Sequence, residues 1–305
     1  MIYVRILVGG FLIVGAFALF WYGLRRMVAE EKRRSRSPFK EKMLRPPGES
    51  LRLKIDDLRE RLHEQVILLS FAMMFPGLMV FIATGSNWIE NLIVWAVVIS
   101  IGALAGMLLW KKICKNRKLL RQYRLGFEGE RYVAEKLAGL SPHGFRVYHD
   151  FLFDMKAGGK QTDFNIDHIV VGPTGVFAIE TKTYRQPNGE LRDGNVSHRV
   201  RSEADALVLP NGRKMRKPLN QVRSAAEDLS KWITGSAVRK VPVFPVLAMP
   251  GWFTDETTIA DMLVLNPQRL VKRLSEFNLH PRLSAEEVQR IGDRIEHQCR
   301  NVDIL

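Results

Sequence analysis

Two acids and a lysine stand at strand spacing within Ile166–Lys182, which reads I-D-H-I-V-V-G-P-T-G-V-F-A-I-E-T-K. Runs of Val, Ile and Phe on either side of Gly172-Pro173-Thr174-Gly175 predict a β-hairpin with those four residues as its loop. Counting outward from Val171 opposite Val176 sets Asp167 opposite Glu180. The period of two then places Lys182 on the face of Glu180, with Ile179 and Thr181 on the other. Opposed like charges on neighbouring strands cost some tenths to about 1 kcal/mol, and more when buried, so something cationic is expected beside them. A Mg²⁺ ion suits oxygen ligands of this kind. The other reading is a cross-strand ion cluster neutralised by Lys182 alone. The residues themselves leave both open.

The elements that must position this hairpin are legible around it. Leu119–Leu140 predicts a helix of about 15 residues that opens a soluble domain near Lys115, with Leu125, Val133, Leu137 and Leu140 apolar and Gly139 as a stop. Glu128 and Glu130 lie in its first half and cannot share a face. Phe145–Phe153 reads as a first strand, Asp154–Asn165 as a polar loop, Tyr184–Gly194 as turn-rich and Arg199–Lys217 as basic and irregular. A helix after Pro218 carries the stripe Leu219, Val222, Ala226, Leu229 and Ile233. Val241–Ala248 is an apolar strand whose two prolines predict an edge or irregular position. Leu263–Leu265 reads as a short strand and Pro267–Phe277 as a helix. Ser284–Cys299 is a final helix with Ser284 and Glu287 as a capping box.

The first third has a different character. Ile6–Leu24, Val66–Thr84 and Ile89–Trp110 are apolar runs long enough to cross a hydrocarbon core at about 1.5 Å per residue, which predicts three transmembrane helices, the first an uncleaved anchor. Pro76-Gly77 suggests a kink in the second. Between the first two spans, residues 25–65 hold 13 Lys/Arg, and Lys111, Lys112, Lys115, Arg117, Lys118 and Arg121 follow the third. By the positive-inside rule the N-terminus lies outside and the soluble domain in the cytoplasm. Arg25–Pro47 reads as a flexible segment able to touch anionic lipid, and Leu51, Ile55, Leu58 and Leu62 as an amphipathic helix entering the second span. The basic residues of 25–65 are assigned to a solvated or lipid-facing surface. The organisation is thus 1–114 in the membrane, 115–240 a soluble core and 241–305 completing it.

The whole chain of 305 residues carries a net charge of +14, which points to a polyanionic partner or a membrane surface. Residues 1–114 hold 16 Lys/Arg against 9 Asp/Glu and residues 115–305 hold 30 against 23, so each part is +7. Two cysteines, Cys114 and Cys299, with no CxxC pair, argue against a zinc or disulfide framework. Gly158-Gly159-Lys160 lacks the spacing of a phosphate-binding loop, and no motif suggests a nucleotide cofactor.

G-F-E-G-E-R at 126–131, the hairpin at 166–182 and P-L-N-Q-V at 218–222 together resemble the nuclease-related domain (NERD) family over about residues 122–235. That family is similar to the restriction-endonuclease-like PD-(D/E)XK superfamily, so the resemblance implies an α/β fold with a mixed sheet flanked by helices. It further implies Mg²⁺ or Mn²⁺ held by Asp167 and Glu180, with Glu130 as a further ligand or its support. Lys182 would orient the attacking water and offset transition-state charge, and Gln221 would reach the site from the following helix. After the hairpin the family commonly runs K-N-Y-x-G-x-I with a later Trp. Here Lys182-Thr183-Tyr184-Arg185-Gln186-Pro187-Asn188-Gly189 enlarges the turn, and no Trp occurs before Trp232.

The expectation is a membrane-anchored, metal-dependent nuclease on the cytoplasmic side, acting on DNA in preference to RNA. Arg185, Arg192, Arg199, Arg201, Arg213, Lys214, Arg216 and Lys217 are candidates for phosphate contact. The rival is a nucleic-acid-binding membrane tether without turnover; a weaker one is a membrane-assembly protein whose domain binds another protein. His168 should point away from Asp167 and be structural, as should His149 and His198, which lack ligand spacing.

Overall fold

The β-branched and aromatic runs pair into sheets, and the longer 3.6-periodic segments become helices. In the computed structural model, described at residues 15–16, 18–24, 26–27, 30, 42–83, 92–153, 165–185, 199–203, 205–234, 240–254, 259, 261–278 and 282–302, the elements follow in this order. They are β1 (Met43–Leu44), α1 (Glu49–Ala83), α2 (Leu92–Leu137), a 3₁₀ turn (Ala138–His143), β2 (Arg146–Leu152), β3 (Asn165–Gly172), β4 (Gly175–Thr181) and β5 (Arg199–Glu203). Then come β6 (Ala206–Val208), β7 (Lys214–Met215), α3 (Lys217–Thr234), β8 (Val243–Ala248), β9 (Phe253–Thr254), β10 (Leu263–Leu265), α4 (Leu270–Ser275), α5 (Ala285–Cys299) and β11 (Arg300–Val302). The chain divides into two compact units: Met1–Lys40 with Ile55–Arg121 and Ile304–Leu305, and Glu41–Lys54 with Gln122–Asp303.

The second unit is an α/β domain on a mixed five-stranded sheet of order β10-β8-β4-β3-β2. β2, β3 and β4 form an antiparallel meander, while β4, β8 and β10 run parallel. β4 is buried along its whole length and β3 at every position after Asn165, as expected for strands covered on both faces. On one face Ala225, Ala226, Leu229 and Ile233 of α3 and Val288, Ile291 and Ile295 of α5 pack with Phe151, Ile169, Val171, Val176 and Ala178. On the other, Val133 and Leu137 of α2 and Leu270 and Leu274 of α4 meet Val170, Phe177, Ile179 and Val246. The stripe predicted for α3 is buried in full, and Ser284 caps α5 in a reciprocal capping box with Glu287.

Several expectations are corrected. Gly172 pairs with Gly175, so Pro173 and Thr174 alone make the hairpin turn. The strand at Val243–Ala248 lies inside the sheet, between β4 and β10. Its one proline, Pro245, is tolerated for a local reason, while Pro242 precedes the strand. Ala248 C=O accepts from Lys182 N–H on the β4 side and Met249 N–H donates to Leu265 C=O on the β10 side. By alternation Pro245 faces β10, whose pairing begins only at Val246, so no ladder bond is lost. Arg199–Lys217 is not irregular: β5, β6 and β7 join β9 in a second, four-stranded sheet. Val200, Leu207 and Met215 there pack with Leu219 of α3 and Trp252.

Arg25–Pro47 is not free along its length either. β1 pairs antiparallel with β11. The Arg45 guanidinium is buried against Asp150, which also accepts from Ser50 N–H at 2.8 Å and Ser50 Oγ–H at 2.9 Å. Asp150 holds this place in a left-handed conformation, φ 49°, with Asn165 Nδ2 donating to its other oxygen at 2.6 Å.

The first unit contains the apolar helices. Gly102 of α2 admits the Pro76 ring of α1, since a Cβ there would lie 2.6 Å from Pro76 Cγ. Gln65 accepts from Asn116 Nδ2 at 3.1 Å. α1 begins at Glu49, as the amphipathic pattern predicts, and continues through Pro76. The expected break between a third span and the opening helix of the soluble domain is absent, because 111–124 contain neither Gly nor Pro and α2 runs unbroken from Leu92 to Leu137. Among the described residues α2 is the one helix long and apolar enough to cross a membrane, its most apolar 18 residues having mean hydropathy 1.7. The three-span expectation is reduced accordingly. Of the first span only 15–16 and 18–24 are described, and side chains 77–84 of the second lie outside the described residues.

Candidate active site

The hairpin register carries the site. Val171 faces Val176 and His168 faces Ile179; one step further sets Asp167 opposite Glu180. Both are nearly fully buried, at 5% and 3% exposure. Asp167 Oδ2 accepts from Thr181 N–H at 2.8 Å. Glu180 Oε1 is in an ion pair with Lys182 Nζ and accepts from Gln221 Nε2 at 2.8 Å, so α3 reaches the site as expected. Burial, then the charges of Glu180 and Glu130, push the Asp167 carboxyl well above its usual range. Burial also raises Glu180 against the pull of Lys182. Burial works against the Lys182 ammonium, but Glu180 and Asp167 outweigh it and raise its pKa.

Glu130 arrives from α2. Gly129 before it lets the helix cross the end of β4 closely, because a Cβ there would stand 1.8 Å from Thr183 Oγ1. Glu130 is buried, its Oε2 has no hydrogen-bond partner among the described residues, and burial with the charges of Asp150 and Glu180 pushes its pKa up to about 8. Glu128, two residues earlier, is exposed. A cavity of about 230 Å³ brings Glu130, Asp167, Glu180, Lys182 and Gln221 together with Asn165, Thr183, Gln122, Ser50, Leu51 and Lys54. Among the described residues no group of three or more His, Cys, Asp or Glu side chains is arranged to hold a metal ion.

The other candidates lie elsewhere. Arg213, Lys214, Arg216 and Lys217 are exposed and line no part of the cavity. Lys214 pairs with Glu203 at 2.8 Å and Arg216 with Asp205 at 3.0 Å. Arg199 and Arg201 are exposed on β5, Arg185 is exposed beyond β4, and Arg192 and His198 lie outside the described residues. His168 does turn from Asp167: its Nδ1 meets His149 Nδ1 at 2.9 Å, one ring donating and the other accepting. Burial lowers both histidines, His149 to about 4, which suits a neutral pair. Sequence reasoning missed Ser50, Leu51 and Lys54, having read the basic residues there as solvated or lipid-facing surface and Leu51 as part of an amphipathic helix; only their helical i, i+1, i+4 spacing signalled a shared face.

Residues 125–250 match the profile of the nuclease-related domain, NERD. The match reaches past α3 to the end of β8, further than the sequence motifs alone. An uncharacterized protein of Bacillus anthracis is 39% identical over 59 residues, which are 19% of this chain and 26% of that protein. The chain therefore spans about a quarter of that relative's length. No solved structure matches this chain. The matched residues include α2's end, the hairpin and α3, and with them all five of Glu130, Asp167, Glu180, Lys182 and Gln221. The match suggests a nuclease-like function.

Proposed function

We propose that this cavity is the active site of a divalent-metal-dependent nuclease that hydrolyses nucleic-acid phosphodiesters, DNA in preference to RNA, beside a membrane. One observation carries the reading: Asp167 and Glu180, buried on one face of the hairpin that the family match includes, have raised pKa values, with Glu130 close enough to raise Asp167 further. Carboxylates held this near and this dry carry an electrostatic cost that a cation removes.

The donor set fits Mg²⁺ or Mn²⁺. Oδ1 of Asp167, Oε2 of Glu180 and the unpartnered Oε2 of Glu130 stand outside the hydrogen bonds described above. One or two of them, completed by waters and a substrate phosphate, would satisfy a Mg²⁺ ion. Such an ion supplies an acidified water and neutralises charge gathering on the phosphate. Gln221 and Lys182 fix Glu180 through its other oxygen, and the Lys182 ammonium adds a positive charge where the transition state is most negative.

A catalytically weak, nucleic-acid-binding tether is the second reading. It draws on Lys182 already engaging Glu180 and on the lack of a three-ligand group among the described residues. Cleavage of supercoiled plasmid, single-stranded DNA and RNA by the detergent-solubilised full chain decides between them, run with Mn²⁺, Mg²⁺ or EDTA beside Asp167→Ala and Lys182→Ala. The nuclease cuts only with metal and loses about 10²-fold or more of its rate in both variants. Equal inertness of wild type and variants, with DNA still bound, leaves the tether.

Membrane attachment rests on α2 and on the basic cluster Lys111, Lys112, Lys115, Arg117 and Lys118 that follows its apolar part. A span in the apolar part of α2, with the residues that follow it in the cytoplasm, agrees with that charge distribution. Retention in carbonate-washed membranes with protease access only from the cytoplasmic side is expected; release into the wash overturns it.

A further inference from the structure

The cavity faces an electrostatic difficulty that the described residues of 125–250 do not resolve by themselves. Three of the cavity's lining side chains are acids, Glu130, Asp167 and Glu180, and among the described residues of 125–250 the one cation lining it, Lys182, is engaged with Glu180. A phosphodiester is anionic, so its approach needs a positive group that is not already committed. Such a group comes from outside the family match, on the first turns of α1.

The segment carrying it is held in place. β1 pairs with β11, and Arg45 N–H donates to Cys299 C=O at 3.0 Å while its side chain is buried on Asp150. Gly48, at φ +79°, passes over the nuclease-related domain so closely that a Cβ would lie 2.6 Å from the Phe127 ring and 3.6 Å from Glu130 Oε2. Ser50 is tied to Asp150 by its N–H and its hydroxyl. Lys54, one helical turn on from Ser50, lines the same cavity, is exposed and makes no ion pair among the described residues. Its charge is near enough to favour the ionised form of Glu130.

We infer that Lys54 binds a phosphate of the nucleic-acid substrate at the mouth of this cavity, so that the substrate-binding set extends beyond the nuclease-related domain into the arm that precedes it. The inference rests on the nuclease reading for its substrate class, and its test is a binding measurement made without metal or turnover. The full chain in detergent is titrated into fluorescein-labelled single-stranded and duplex oligonucleotides in EDTA over a range of salt concentrations. Four proteins are compared: wild type, Lys54→Ala, Lys54→Arg and Lys272→Ala, the last an exposed lysine on α4 outside the cavity.

Loss of one phosphate contact weakens binding about fivefold near 0.1 M salt and lowers the slope of log affinity against log salt by about one. Lys54→Ala is expected to show both changes, Lys54→Arg neither, and Lys272→Ala neither. An unchanged slope in Lys54→Ala overturns the inference, as does an equal loss in Lys272→Ala or no binding by wild type. A chain that binds through Lys54 yet cuts nothing with Mn²⁺ keeps this inference and loses only the nuclease reading.

Discussion

At the scale of single residues, Glu130 is the most informative titratable group in the cavity. Its carboxyl is raised from the ordinary 4.5 to about 8, so the folded chain retains a proton that the unfolded chain gives up. A raised acid favours the fold fully below the unfolded value, and that advantage is lost as pH climbs through the folded one. Asp167 and Glu180 shift in the same direction. The His149–His168 pair acts with the opposite sign: lowered from 6.5, to about 4 for His149, it contributes above 6.5 and is lost as pH falls. The carboxylates therefore govern the window between about pH 6.5 and 8. In EDTA the melting temperature is expected to fall across that window, and Glu130→Gln to flatten the fall and exceed wild type at pH 8. A steeper fall in the variant would contradict this assignment.

At the scale of elements, two glycines of α2 differ in tolerance, Gly129 meeting the end of the hairpin and Gly126 the first turn of α1. Gly129 has no room for a methyl group, which would fall 1.8 Å from Thr183 Oγ1 and 3.0 Å from its Cβ. At Gly126 the obstacle is the end of the Leu51 side chain at 3.1 Å, which can turn aside. Alanine improves helix propensity at either place by about 1 kcal/mol. Overpacking at Gly129 costs about 1 to 3 kcal/mol and should win there. Gly129→Ala is expected to lower the denaturant midpoint, Thr183→Gly in the same chain to restore it, and Gly126→Ala to leave it near wild type. Equal midpoints for the two alanine variants would show that α2 does not bear on β4 in this way.

Over the whole molecule, the joint between the arm and the nuclease-related domain is a buried ion pair. Arg45 is 8% exposed and Asp150 fully buried, more than a hundred residues apart in sequence. Such a pair adds little over an apolar substitute, but breaking one side leaves an uncompensated charge and costs about 3 to 5 kcal/mol. Arg45→Ala is expected to lower thermal stability by that order, and Arg45→Met with Asp150→Asn to recover most of it. Calorimetry giving the single and double variants the same loss would mean that the charge itself is not what the arm secures.

What the sequence determined by itself was local. The facing of Asp167 and Glu180 and the side of Lys182 follow from a tight turn and the period of two, which no distant contact can alter without slipping the strand. The stripe of α3 and the capping box of α5 are likewise set within a turn or two of helix. The tertiary structure decided whatever depends on a remote partner. Pro245 can sit inside a sheet only because β10 is short, a fact about another segment. The basic stretch after Arg199 becomes a sheet through apolar positions that need α3 and Trp252 to cover them. Asp150 adopts its left-handed conformation where Arg45, Ser50 and Asn165 converge. Lys54 reads as one more surface lysine until β11 and Asp150 draw its helix onto the acids, because charge complementarity is a property of positions in space.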